Sequence, residues 1–504
     1  MTVNNKTILR SILILSYIVI IVLVVFGISA LFSYLNTGAD RNSMLHTEVK
    51  KIDQYLPTVR WSPLINEGRT MDKTTLNDIE NDYLDAWYVK HVAFLTKLET
   101  GIDDYYTESA RKNIVNIIDI NKTENISIEA TTLNHETTLE FFSEDGQLAV
   151  ITDRNVVEYK RFYKNKEIQF ETKEVSTYKV MLLLEDGFWR IRHMVKQESS
   201  PFANASNAVD LEIAIKGINY YPQVNPWDTF GYQFSKDIIS KDFKIIKEAG
   251  LNSVRIFVQY DDFGKANVNL DKLYKLKQTL DAAENNGIGV VVTLFDFYGD
   301  YSVLNWTLNQ SHAETIVSEL KDHKALLAWD IKNEPNLDFD SRGKELVISW
   351  LDNMIDLVKS VDGVHPVTIG WSNTQSASIL KDKVDLVSFH YYEDLNKLDE
   401  AIKSLKTEIP NKPLVLQEFG LSSYSGFWKP FGGSEKKQTN YHQKAQEIIA
   451  NNNLQFMSWT LYDFGTIPKE VVGRLPWRKN IQKQFGFINS SGIEKDAFKY
   501  ISQP

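Results

Sequence analysis

The chain has no cysteine. Disulfides, thiolate metal sites and a cysteine nucleophile are therefore excluded, and stability has to come from packing. It also lacks a basic excess: 56 Lys and Arg against 66 Asp and Glu leave a formal net charge of −10, the wrong balance for a nucleic-acid partner. No glycine-rich phosphate turn follows any of its apolar runs, which disfavours nucleotide binding on an open doubly wound sheet. Nor does a His-x-His or clustered His/Asp set close any of them, which disfavours a metal hydrolase. What is present, 43% hydrophobic and 24% charged over 504 residues, is ordinary globular composition with room for about three domains.

One stretch departs from that composition. Residues 11–35, SILILSYIVIIVLVVFGISALFSYL, carry no charge and exceed the roughly 20 residues that cross a bilayer. Lys6 and Arg10 precede the run and no basic cluster follows closely, so the positive-inside rule puts the N-terminus in the cytoplasm and the rest outside. A cleaved signal peptide is the rival reading, but the run is longer than the usual apolar region of about 7–15 residues. The expectation is a single-pass cell-membrane anchor over 1–36 with an extracytoplasmic remainder. Polar residues 37–70, with Pro57 and Pro63, read as a stalk.

Over 71–120 the apolar positions Leu76, Ile79, Tyr83 and Trp87 recur at helical spacing. The period then shortens to alternation, with Asp145-Gly146 and Asp186-Gly187 as hairpin turns. Helices followed by an antiparallel sheet predict a small α+β domain over 71–200. Its last hairpin, Glu185-Asp186-Gly187-Phe188-Trp189, resembles that of the cone-shaped nuclear-transport-factor-two-like superfamily. The resemblance implies a spacer, or a surface for a protein partner. The linker ESSPFANASNAVD at 198–210 closes it.

From 211 on, eight short apolar runs each end in polar or aromatic residues and alternate with helical patterns: IAIKGINY, NSVRIFVQY, IGVVVTLFDF, LLAWDIKNEP, HPVTIGWS, VDLVSFHYY, KPLVLQEFG and FMSWTLYDF. Buried strands alternating with helices predict the α/β fold class, here a TIM (β/α)8 barrel over 208–504. Chemistry in a barrel sits at the C-terminal strand ends. There the fourth run places Asp330, Asn333, Glu334 and Pro335, and the seventh places Glu418, 84 residues further on. Strands three apart in an eight-stranded ring face each other across the mouth, so two glutamates can flank one bond. Strict pleating puts Asn333 and Glu334 on opposite faces, so the strand has to twist or bulge if both reach the mouth.

These motifs resemble the clan A glycoside hydrolases, in particular the family-five cellulase and mannanase group. Trp329-Asp330-x-x-Asn333-Glu334-Pro335 matches the fourth-strand motif and Gln417-Glu418-Phe419-Gly420 the seventh. Asn252-Ser253-Val254-Arg255 matches the second, His390-Tyr391-Tyr392 the sixth, and Ser458-Trp459 the eighth. The resemblance implies Glu334 as acid/base, Glu418 as nucleophile and Asn333 as holder of the substrate 2-hydroxyl. Arg255, a charge in an apolar strand, is expected beside Glu418, keeping it ionised. His390 and Tyr392 share a face toward the mouth, and Trp459 offers a floor for a sugar ring. Trp227, Tyr298, Tyr301, Trp306, Trp371, Trp428, Tyr462 and Trp477 supply further aromatic surface near strand ends. At the third strand, LFDFYGDY puts Asp296 and Asp300 where many relatives carry His or Asn-Asn, which loosens the assignment of the sugar. The expectation is a retaining β-glycoside hydrolase on a β-mannan- or β-glucan-type carbohydrate, with no cofactor and no metal. The alternative is a catalytically idle glycan-binding barrel attached to polysaccharide machinery.

Overall fold

The computed structural model describes residues 5–36, 55–203, 209, 214–426, 432–472 and 475–504, as one N-terminal helix and two sheets. The helix runs over Asn5–Asn36. Its described side chains, residues 13–28, are almost wholly apolar and all exposed, Phe26 at 74%. Among the described residues no helix is long and apolar enough to cross a membrane, so the anchor over 1–36 stands as a proposal.

The first sheet contains β1 (Thr58–Trp61), β2 (Glu67–Gly68), β3 (Ile126–Thr132), β4 (Asn134–Phe142), β5 (Leu148–Lys164), β6 (Glu167–Glu185) and β7 (Phe188–Pro201). Its order is β1-β4-β5-β6-β7, with β2 on β4 and β3 on β5. The stalk expected over 37–70 needs correction. Residues 37–54 lie outside the described residues, but from Tyr55, 4% exposed, the chain is part of the fold, and β1 ladders with Asn134 to Thr137. Pro57 and Pro63 flank β1, where a missing N–H breaks no ladder bond, so their composition imitates a linker. Likewise β7 extends to Pro201 and absorbs the start of the expected linker; residues 204–208 and 210–213 lie outside the described residues.

Local chemistry accounts for the hairpins and the helix on this sheet. Asp186 and Gly187 both take left-handed φ, 53° and 87°, as a type I′ turn demands. Helix Lys73–Thr96 starts at Asp72, whose side chain accepts from the Thr75 N–H, a cap that satisfies one of the helix's otherwise free donors. It lays Ile79, Tyr83, Ala86 and Trp87 into a cluster with Leu139, Ile151, Val180, Leu182 and Trp189.

The second sheet closes into a parallel eight-stranded barrel: β8 (Lys216–Asn219), β9 (Ser253–Gln259), β10 (Gly289–Asp296), β11 (Leu326–Asn333), β12 (Val367–Trp371), β13 (Val387–His390), β14 (Leu414–Glu418) and β15 (Gln455–Ser458). These are the eight runs singled out in the sequence. Val291, Ala328, Leu386, Val415 and Met457, from around the ring, form a cluster separate from the outer core, which marks them as the inward layer. Two residues on, the pleat returns Thr293, Asp330, Ser388, Gln417 and Trp459 to the same side. An apolar plug thus carries a polar storey, and the C-terminal strand ends lie above it.

The two sheets are packed together. Leu133 and Tyr159, from the first sheet, belong to the buried cluster of the barrel, and the Tyr159 ring lies 4.3 Å from that of Trp306.

Candidate active site

Glu334 follows β11 in a left-handed conformation, φ 49° and ψ 46°, and Pro335 then opens a short 3-10 helix. Its N–H donates to Gly370 O at 2.7 Å. One turn earlier, β11 shifts register against β12 between Asp330 and Asn333. The shift turns Asn333 inward, and the left-handed residue brings Glu334 back to the mouth, which strict alternation forbids. Such a backbone costs a non-glycine residue on the order of 1 kcal/mol or more. Glu418 ends β14, next to a register shift between Phe389 and His390, and here too the irregularity delivers a side chain of the other parity to the mouth.

One oxygen from each of Glu334 and Glu418 and one ring nitrogen of His390 all lie within 4.8 Å of one another. A cation could bridge these three groups, but each carboxyl already has a protein partner. His390 Nδ1 is 2.9 Å from Glu334 Oε1. Tyr392 Oη donates to Glu418 Oε1 at 2.6 Å, and Arg255 Nη1 to Oε2 at 3.5 Å. Side-chain exposure separates the pair, 27% for Glu334 and 12% for Glu418.

Arg255 is fully buried and lies beside Glu418 as expected, but Asp330 holds it more closely. Nε and Nη2 donate to Asp330 Oδ2 at 3.0 and 2.6 Å. Thr293 Oγ1 shares the Nε–H at 3.0 Å, and Asn219 and Asn333 accept from Nη1 and Nη2 at 3.2 and 2.9 Å. Asp330 also accepts from Gly370 N at 2.9 Å and Thr293 Oγ1 at 2.8 Å. Because Asn333 Oδ1 is taken by Arg255, its amide NH2 is the part left for a ligand.

These contacts set the proton affinities. Burial pushes Glu418 up and the charge of Glu334 adds to it; His390, Arg255 and the Tyr392 hydroxyl oppose without prevailing. Burial also pushes Glu334 up, but the hydrogen bond and charge of His390, with Arg255 and Lys332, outweigh it and hold this carboxyl below its ordinary value. The order is the reverse of that expected from an arginine beside Glu418, because burial outweighs that cation at Glu418 while His390 favours the ionised form of Glu334. Asp296 is pushed up to about 6 by burial, against the charges of Lys332 and Arg255.

A cavity of about 330 Å³ opens over the pair, lined among others by Tyr221, Trp227, Asp296, Asn333, Tyr392 and Trp459. Six of the eight expected residues, Glu334, Glu418, Asn333, Asp296, Tyr392 and Trp459, thus reach one cavity. Arg255 and His390, expected to bind substrate, do not line it and sit behind the carboxyls as their partners. Tyr392 presents a ring 44% exposed at the rim while its hydroxyl is sunk against Glu418. Of the other aromatics, Trp227 lines the cavity. Tyr298, Tyr301, Trp306, Trp371 and Tyr462 are buried packing, and Trp428 and the Trp477 side chain lie outside the described residues.

Sequence reasoning missed Asn219, Tyr221, Phe257, Phe297, Gln482 and Phe485, the last five of which line the cavity. Asn219 ends the first barrel strand and Tyr221 follows it, so both were findable as polar and aromatic strand-end residues. Gln482 and Phe485 come from the last loop, where no period marks them.

Residues 215–465 match the family model Cellulase (glycosyl hydrolase family 5). The chain carries a glycosyl hydrolase family 5 domain. Curated relatives of this domain include mannan endo-1,4-beta-mannosidase A of Emericella nidulans, 22% identical over 232 residues, 36% of this chain and 60% of the relative. Mannan endo-1,4-beta-mannosidase 3 of Arabidopsis thaliana is 29% identical over 227 residues, 36% of this chain and 51% of the relative. The chain therefore spans about half to three-fifths of these relatives' length. Among solved structures, an exo-beta-1,4-mannosidase from Opitutaceae bacterium strain TAV5 aligns with a TM-score of 0.48 at 18% identity, covering 60% of each chain.

Proposed function

We propose that the family-five domain is a retaining β-glycoside hydrolase that cleaves a β-mannan- or β-glucan-type glycan. The observation that carries this reading is the carboxyl spacing. Oxygens of Glu334 and Glu418 approach within 4.8 Å, in keeping with the roughly 5–5.5 Å of retaining enzymes and too close for the roughly 6.5–9.5 Å that admit a water in inverting ones. The names of the mannosidase relatives favour β-mannan.

Glu418, the more buried carboxylate, attacks the anomeric carbon, and the bond to the leaving oxygen breaks as Glu334 gives that oxygen its proton. Glu334 then takes a proton from water, whose oxygen displaces Glu418 and restores the starting configuration. The greater exposure of Glu334 suits a group that must meet leaving group and water in turn. Two carboxyls this close share one proton as a pair. Burial favours the proton on Glu418 and His390 opposes one on Glu334, so attack requires the shared proton to pass to Glu334.

The uncharged run 11–35, behind Lys6 and Arg10, supports a single-pass anchor with a cytoplasmic N-terminus and an extracytoplasmic catalytic domain. The first sheet and its helix support a cone-like module between the two. The chain from Tyr55 onward, assayed on β-mannan, β-glucan and xylan, should hydrolyse one of the first two with the β-anomer formed first. Binding without hydrolysis of any of them would favour the idle glycan-binding barrel instead.

A further inference from the structure

We infer that the first sheet buttresses the loop after β10, and that Glu129 and Arg161 are positioning residues for the substrate cleft. The inference rests on the glycosidase reading for its kinetics but not for its structural part. Arg161 on β5 is completely buried. It grips two carboxylates, Nη1 donating to Glu129 Oε2 at 3.0 Å and Nε to Glu171 Oε1 at 2.6 Å. Each carboxylate passes its second oxygen to the barrel. Glu129 Oε1 accepts from the Val303 N–H at 3.0 Å, and Glu171 Oε2 from Ser349 Oγ at 2.8 Å. Val303 closes the loop after β10, and Ser349 lies in helix Lys344–Val361, which follows β11. One buried cation therefore sets the reach of two acids into the segments following the third and fourth barrel strands.

That loop is part of the cleft. Phe297, left-handed at φ 58°, and Asp296 line the cavity over Glu334 and Glu418. They also line an adjoining cleft of about 900 Å³ with Gly299, Asp300 and Arg342. The far end of the loop is pinned to the first sheet a second time, by Tyr159 against Trp306, and Trp306 Nε1 donates back to Tyr301 O at 3.3 Å. Tyr301 in turn donates to Asp338, whose carboxylate lies 3.5 Å from Lys332 Nζ, two residues before Glu334. Val303 is 0% exposed, so without Glu129 its N–H is left buried and unpaired, which the loop can relieve only by moving outward.

The test compares the full chain with Glu129→Ala by amide exchange over 297–305 and by steady-state kinetics on the polysaccharide that the wild type cleaves. The variant should exchange at least about tenfold faster in 297–305 alone and raise KM severalfold, with kcat within about twofold. Glu129→Asp keeps the charge for Arg161 but is a methylene too short for Val303, and should move both readouts the same way by less. It carries the test if Glu129→Ala fails to fold. Unchanged exchange in 297–305 overturns the inference, and so does loosening spread evenly through the barrel with kcat and KM falling together. A wild type inactive on every glycan would sink the glycosidase reading, while the exchange comparison would still decide the buttress.

Discussion

Replacing Asp330 by Asn separates the structural from the electrostatic duty of the polar storey. The change is isosteric, and the carbonyl oxygen of Asn can still accept from Gly370 N, so no cavity term arises. What is lost is the counter-charge of Arg255, a pair with both side chains at 0% exposure. Breaking such a pair costs about 3–5 kcal/mol, because the surviving charge is left among neutral groups. Here those are Thr293, Asn219 and Asn333. Glu418, 3.5 Å away, absorbs part of the cost, so the lower end of the range applies. With an unfolding entropy of about 2.1 cal/mol/K per residue over the barrel's roughly 290 residues, the midpoint of thermal unfolding should fall by about 5 °C. The same substitution turns the full charge of Arg255 toward Glu418 and favours its ionised form. A carboxyl now held up by burial is thereby brought down, so it is ionised at lower pH. The acid limb of kcat/KM should therefore move to lower pH while the protein becomes less stable. Scanning calorimetry and a pH–rate profile read the two effects separately. An unchanged midpoint, or an acid limb that moves to higher pH, would refute the view that Asp330 diverts Arg255 from Glu418.

Further outcomes follow from the same contacts. Glu418→Ala should be nearly inactive on every glycoside, whereas Glu334→Ala should still cleave an aryl glycoside with a good leaving group and be rescued by azide as the β-glycosyl azide; an α-azide would show the roles are misassigned. Tyr392→Phe removes a 2.6 Å hydrogen bond to Glu418 that favours its ionised form, so activity should fall more at acid than at alkaline pH, and a uniform loss across the profile would exclude that role. A fragment beginning at Asn207 should unfold at lower temperature than one beginning at Tyr55, because Leu133 and Tyr159 leave the barrel core; equal midpoints would show the sheets to be independent. Protease added to intact spheroplasts should digest the barrel, and complete protection would overturn its export.

The barrel was legible because each of its strands is apolar on both faces and ends in polar residues, a pattern that needs only local sequence. Glu334 and Glu418 were legible for the same reason, being carboxyls at strand ends. Partnership was not. Arg255 and Asp330 lie 75 residues apart, and nothing local says that this arginine bonds Asp330 closely and Glu418 only at 3.5 Å. The order of proton affinities was read backwards because the burial of Glu418 and the contact of His390 with Glu334 join residues far apart in the chain. Residues 55–70 were misread because proline beside a short parallel strand looks the same in sequence as proline in a linker. The gripping of Val303 by Glu129 joins positions 174 apart across two sheets, beyond any periodicity.

Gly370 gives the site a narrow tolerance to mutation. A methyl group placed there would stand 2.6 Å from Gln417 Oε1, 2.8 Å from Arg255 Nη2 and 3.2 Å from His390 Nε2, while the backbone of the same residue holds both Asp330 and Glu334. A single added carbon would thus act as a wedge between the guanidinium that steadies one glutamate and the imidazole that steadies the other. Neutral drift can alter the cavity rim residue by residue, but position 370 admits no gradual path, since even its smallest step away from glycine displaces both supports at once.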